Sequence, residues 1–179
     1  MNEAAQEAER QRPGTCHHEA AHAVFAYHLG EPISYVTVGE DSESFSRVRY
    51  RRGDPESTSR VAAGILAGRY AEELAVSGER KEHVPFEKFD EGIREAWQTN
   101  TWPAGIEMDE VQVFGVIMTI GRQRVEEVYE AACDFAAEHV ERWWDEIDKL
   151  AKRLLEDGRI DGSEVGRIIE GTRNNNERT

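Results

Sequence analysis

The chain has 179 residues, enough for one domain with its own core and room for two small subdomains. Acidic residues number 36 against 22 lysines and arginines, and a net charge of −14 repels phosphate backbones, which excludes nucleic acid as an expected partner. The apolar share is 39%, with four tryptophans and six phenylalanines, so a packed interior is expected beneath a charged surface.

Cys16 and Cys133 lie far apart and no CxxC occurs, so neither a disulfide framework nor a thiolate zinc site is expected. Two buried thiols suit a reducing, cytoplasmic setting. The opening "MNEAAQEAERQR" is charged and lacks the apolar run of a signal peptide. No stretch of about 18 apolar residues suggests a membrane span.

Taken in chain order, residues 1–14 read as a flexible arm. Pro13-Gly14-Thr15 predicts a break, with Thr15 as N-cap of a helix that runs to His28 and is ended by Gly30 and Pro32. Residues 33–39, "ISYVTVG", are β-branched and aromatic and predict a strand. Residues 45–51 alternate, Phe45, Arg47 and Arg49 on one side and Val48 and Tyr50 on the other, and predict its antiparallel partner. The basic run "RVRYRR" within them reads as a solvated strand face. "GDPESTS" offers several helix caps, and the helix that follows, residues 60–78, is closed by Gly78.

Residues 79–88 read as loop. A helix over residues 89–99 places Phe89, Ile93, Ala96 and Trp97 on one face before "NTWPAG" interrupts it. From Val125 through Val128, Ala132, Phe135, His139, Trp143, Ile147, Leu150 and Leu154, apolar residues recur at helical steps. That pattern is long enough to leave room for a break. Of the adjacent Trp143 and Trp144, one is expected in the core and the other partly exposed. Gly158 ends the pattern, "DGSEVGRIIEG" makes a short last helix, and residues 173–179 read as a disordered tail. The fold class is mostly α with a small antiparallel β-sheet, α+β, and residues 15–172 form the folded domain.

Chemistry concentrates in His18-Glu19-Ala20-Ala21-His22. Residues four apart on an α-helix share a face, so His18 and His22 can present two imidazoles to one ion. Glu19 stands about 100° round the helix, placed to reach a metal-bound water rather than to enter the ligand set. A water acidified by zinc and a carboxylate that takes its proton are what attack on a carbonyl needs, which makes HExxH on a helix a metalloprotease signature. Ala20, Ala21, Ala23, Val24, Phe25 and Ala26 surround the motif, and burying two histidines and a glutamate among them costs several kcal/mol unless they are partnered. A metal provides that partnership. His17 points away from His18 and reads as a helix-start or solvent-facing residue. His28 sits where a helix C-terminus favours an imidazolium, and His83 reads as a surface-loop histidine.

Four features in order, "HEAAHAV", "VTVG", "AGILAGRYAEEL" and an acidic residue opening "IREAW", resemble the peptidase domain of FtsH-type AAA+ zinc metalloproteases. There a HEAGHA helix precedes a strand and a second helix with a Gly-Gly-Arg-x-Ala-Glu-Glu pattern. "LLEDGRIDGSEVGRII" resembles the end of that domain. The resemblance spans about residues 15–170 and implies a mostly helical zinc metallopeptidase. It also implies a third ligand from an aspartate opening a later helix, matched here by Asp90, with Glu91 as the neighbour that can serve instead.

Ala21 stands where the family has glycine, and "SGERKEHVPFEKFD" is longer than the family's Thr-Gly-Ala-rich approach to the aspartate. No GxxxxGK[ST] phosphate loop occurs, so the resemblance is to the peptidase without its ATPase. The expected partner is a flexible polypeptide substrate, paired with an edge of the small sheet, with Zn2+ held by His18, His22 and Asp90 and Glu19 as general base. An oligomer is possible but not required. The rival expectation is a peptidase-derived protein-binding module without catalysis.

Overall fold

The first helix, α1 (Glu3–His28), continues through Pro13 in a computed structural model that describes residues 3–38, 54–79, 83–99 and 108–176. The break expected at residues 13–15 is therefore absent, and Thr15 lies within the helix rather than capping it. An interior proline removes one backbone donor and crowds the preceding turn, yet the helix is continuous through it. The segment read as an arm is helical from Glu3.

The remaining elements are β1 (Tyr35–Thr37), α2 (Pro55–Ser77), α3 (Phe86–Thr99), α4 (Met108–Ile117) and two 3₁₀ turns (Met118–Ile120 and Arg122–Arg124). They are followed by α5 (Val125–Arg142), α6 (Trp144–Asp157), β2 (Arg159–Asp161) and α7 (Gly162–Asn176). The protein is mostly α with a small two-stranded antiparallel sheet, as its composition and periodicity predict. Two compact units divide it. One comprises Met1–Arg49, Ala67–Lys81 and Glu138–Thr179; the other comprises Tyr50–Leu66 and Glu82–Ala137.

In the first unit, α1 packs on α6 and α7. Ile147, Leu150, Ala151 and Leu154 recur at three- and four-residue steps and are buried. Opposite them α1 buries Ala20, Ala21, Val24 and Phe25. The strand pair is in register with Tyr35 opposite Asp161, Val36 opposite Ile160 and Thr37 opposite Arg159. Val36 and Ile160 are buried, so the middle of this short sheet faces the core. The partner expected for β1, residues 45–51, lies outside the described residues; β2 comes instead from the stretch read as the approach to the last helix. Gly162 lets the chain close this sheet, since its N–H donates to Ser34 O at 2.9 Å. A Cβ there would stand 1.8 Å from Ile33 O.

The long C-terminal pattern does break, at Trp143, whose φ of −104° and ψ of 17° leave the helix between α5 and α6. This redirects both tryptophans onto α1. Trp143 stacks on His28 with centroids 3.9 Å apart, and Trp144 stacks on His17 at 5.3 Å. Both are half-buried, so one is partly exposed as expected but the other is not in the core. Gly158, at φ 72°, ends α6 by donating its N–H to Leu154 O. The last helix is longer than expected and takes in residues 173–176, read from sequence as tail.

In the second unit, Asp54 caps α2. Its Oδ2 accepts the Ser57 N–H at 3.1 Å, and Pro55 occupies the first helical position, where no N–H is needed. The α3 helix begins at Phe86, three residues before the predicted start. Phe89 stacks on Tyr129 of α5 at 4.5 Å and meets Phe114 of α4 at 6.2 Å. The Tyr129 hydroxyl donates to Val84 O at 2.8 Å, tying the segment before α3 to α5. "NTWPAG" lies outside the described residues, and α4 was not distinguished as a separate helix in the sequence.

Candidate metal centre

Helical spacing brings His18 and His22 together on α1, with ring centroids 4.7 Å apart and planes at 79°. What they face is set by the part of α2 in the same unit. A Cβ placed on Gly68 would lie 2.6 Å from His22 Nε2 and 2.7 Å from His18 Nε2. Both Nε2 atoms thus converge on one small volume, and that volume is open because residue 68 has no side chain. Further along, a Cβ on Gly14 of α1 would lie 3.1 Å from the Val76 side chain and 3.3 Å from that of Glu72. As numbers rise along α1 they fall along α2, so the two helices run antiparallel and nearly touch.

Glu72, one turn after Gly68, orients one imidazole. His18 Nδ1 lies 3.2 Å from Glu72 Oε2. A carboxylate can only accept there, so Nδ1 carries a proton, and in the neutral imidazole Nε2 then holds the lone pair on the side of Gly68. A ligating histidine is held in this way, its second nitrogen donating to a carboxylate that fixes the tautomer and raises its basicity. Glu19, next to His18 on α1, is half-buried.

This donor set fits a divalent metal: two convergent imidazole nitrogens, a cradle that a Cβ would fill, and a carboxylate on the far nitrogen. Neutral imidazoles and carboxylates are the ligand types of zinc, with borderline-soft character between the thiolate and all-oxygen sites.

His17, His28 and His83 are accounted for elsewhere. His17 donates from Nδ1 to Pro13 O at 2.7 Å and sets Nε2 3.3 Å from Asp148 Oδ1; it neither caps a helix start nor faces only solvent. Burial alone would raise the Asp148 carboxyl, but hydrogen bonds from Lys152 and His17 outweigh it and hold it below the ordinary aspartate range. His28, at the end of α1, donates from Nε2 to Glu146 Oε2 at 2.6 Å. His83 pairs with Glu130 at 2.8 Å.

Asp90 lies on α3 in the second unit and accepts from Arg94 Nε at 2.6 Å; Glu91 beside it is exposed. Gly68 and Glu72 were visible as parts of "AGRYAEEL", but their roles depend on what α2 meets. Among the described residues, no helix is long and apolar enough to cross a membrane. No protein-family model matches the chain, and a search of curated proteins finds no match.

Proposed function

We propose that the protein is a zinc-dependent metallopeptidase that hydrolyses peptide bonds in flexible polypeptides, with His18 and His22 as metal ligands and Glu19 as general base. The observation that carries this reading is the convergence of both Nε2 atoms on the opening at Gly68, beside a glutamate in HExxH register. Zinc, when bound, supplies Lewis-acid polarisation of the scissile carbonyl and acidifies the attacking water. Glu19 accepts a proton from that water as it attacks and delivers it to the departing amine. Glu72 holds His18 in the ligating tautomer throughout. Ala20 and Ala21, fully buried, keep the helix close-packed behind the site.

For the third ligand the family resemblance implies Asp90. Its bond to Arg94 is what a helical i, i+4 pair makes without any metal. The resemblance to FtsH-type peptidases supports a peptide substrate. Two buried free cysteines suit the reducing cytoplasm.

The test measures zinc per chain and cleavage of an unfolded polypeptide. Wild type should bind one zinc and cleave; Glu19→Gln should keep the zinc and lose about 10²- to 10⁴-fold in rate. Asp90→Asn should lose zinc, and full zinc retention by that variant would remove Asp90 as a ligand. Zinc bound without cleavage by wild type would replace this reading with a metal-holding protein-binding module.

A further inference from the structure

The second unit holds a cavity of about 410 Å³ whose lining includes Phe86, Asp90 and Arg94 from α3, Phe114 from α4, and Met118 and Arg122 from the 3₁₀ turns. Its size is that of a small-molecule site. Its charge runs against that of the whole chain. In a protein of net charge −14, two guanidinium groups and one carboxylate line this cavity among the described residues. That carboxylate, Asp90, binds Nε of Arg94 at 2.6 Å, so both Nη groups of Arg94 stand outside the bond. Arg122 follows Gly121, whose φ of 86° turns the chain between the two 3₁₀ segments, and it is exposed. The walls are apolar, with Met118 left 38% exposed. A cationic rim over an aromatic wall selects a ligand with an anionic head and an apolar body.

We propose that this cavity binds a carboxylate carried on an aromatic or branched apolar group, with Arg122 and the Nη groups of Arg94 on the carboxylate and Phe86, Phe114 and Met118 around the apolar part. Arginine suits the task because its fork matches a carboxylate in two parallel hydrogen bonds. Two sources offer this chemistry: the free C-terminus of a peptide ending in an apolar residue, and a free aryl or alkyl carboxylic acid. The inference rests on the second unit alone and uses neither His18, His22 nor Glu19, so Glu19→Gln should bind as wild type does.

The test uses the full chain labelled at its methionine methyls. Only three methionines are present, and Met118→Leu assigns the resonance of interest. Four probes are titrated: N-acetylphenylalanine, its uncharged amide, 3-phenylpropionate and inorganic phosphate. The carboxylates should shift the Met118 methyl saturably, the amide should bind about tenfold more weakly, and phosphate should leave the methyl unmoved. Arg122→Gln should weaken the carboxylates about fivefold; Asp90→Asn, which removes the competitor for Arg94, should tighten them. Tighter binding of N-acetylphenylalanine than of 3-phenylpropionate supports a peptide C-terminus as the source, and the reverse supports a free acid. Equal binding of acid and amide, a shift by phosphate equal to that by the acids, or no saturation below roughly 10 mM would overturn the proposal. The acid-to-amide comparison uses wild type, so it decides the matter even where Arg122→Gln fails to fold.

Discussion

His18 Nδ1 lies 3.2 Å from Glu72 Oε2, across two helices and 54 residues of sequence. The contact leaves His18 Nε2 as an acceptor facing the opening at Gly68. Removing the carboxylate frees the imidazole to rotate and to protonate the wrong nitrogen. Glu72→Ala should therefore weaken zinc about 10- to 100-fold, measured by competition with a chelator of known affinity. Glu72→Gln, whose amide oxygen can still accept, should lose less. Equal zinc affinity in wild type and Glu72→Ala would show that the contact orients nothing.

Gly68→Ala tests the cradle itself. The new Cβ would fall 2.6–2.7 Å from both Nε2 atoms, and the groups in its way are the ends of rotatable side chains. The imidazoles should swing aside rather than the helix unfold. The expected result is loss of stoichiometric zinc with a circular dichroism spectrum and a metal-free melting temperature close to those of wild type. Retention of full zinc binding would remove Gly68 from the site.

Gly162→Ala has no such escape. Its Cβ would meet the backbone carbonyl of Ile33 at 1.8 Å, where the sheet closes through Gly162 N–H to Ser34 O. Overpacking against rigid neighbours costs about 1–3 kcal/mol, and a backbone obstacle places this case at the upper end. Urea unfolding measures it directly.

Asp148 links stability to pH. Its carboxyl is held below the ordinary value of 3.8 by Lys152 and His17, against the opposing effect of burial. A carboxylate depressed in the folded state contributes stability that is fully present above its unfolded value and is lost as pH falls through the folded one. Wild type should lose stability relative to Asp148→Asn as the solution is acidified below about pH 4, and the two should differ by a constant amount near neutrality. Parallel urea-unfolding curves across that acid range would show no such contribution.

Leu150→Ala probes the buried face of α6. Leu150 is fully buried, as are Ile147 and Leu154 on the same face, and truncation of a buried leucine costs about 2–5 kcal/mol. Loss of cooperative unfolding in this variant, read by the fluorescence of Trp143 and Trp144 stacked on α1, would locate the core of the first unit there.

The helix carrying the motif was legible in the sequence because helical geometry alone sets it: any α-helix through residues 18–22 places two imidazoles one turn apart. The C-terminal ends of α2 and α6 were legible for a similar reason, since Gly78 and Gly158 act through their own backbone; the start of α2 was not, because the sequence placed it at residue 60 and the helix begins at Pro55. The fold class followed from the same local periodicities. Pro13 shows where local rules stop. It signals a break, yet α1 runs through it. Trp143 and Trp144 make the same point, their two faces assigned by a break in the helix rather than by its period. Only the tertiary structure decided that β1 pairs with β2, that α2 approaches α1 through two glycines, and that Glu72 reaches His18. Each of these joins residues far apart in the chain, where the outcome depends on which surfaces meet and how closely, and no local propensity carries that information.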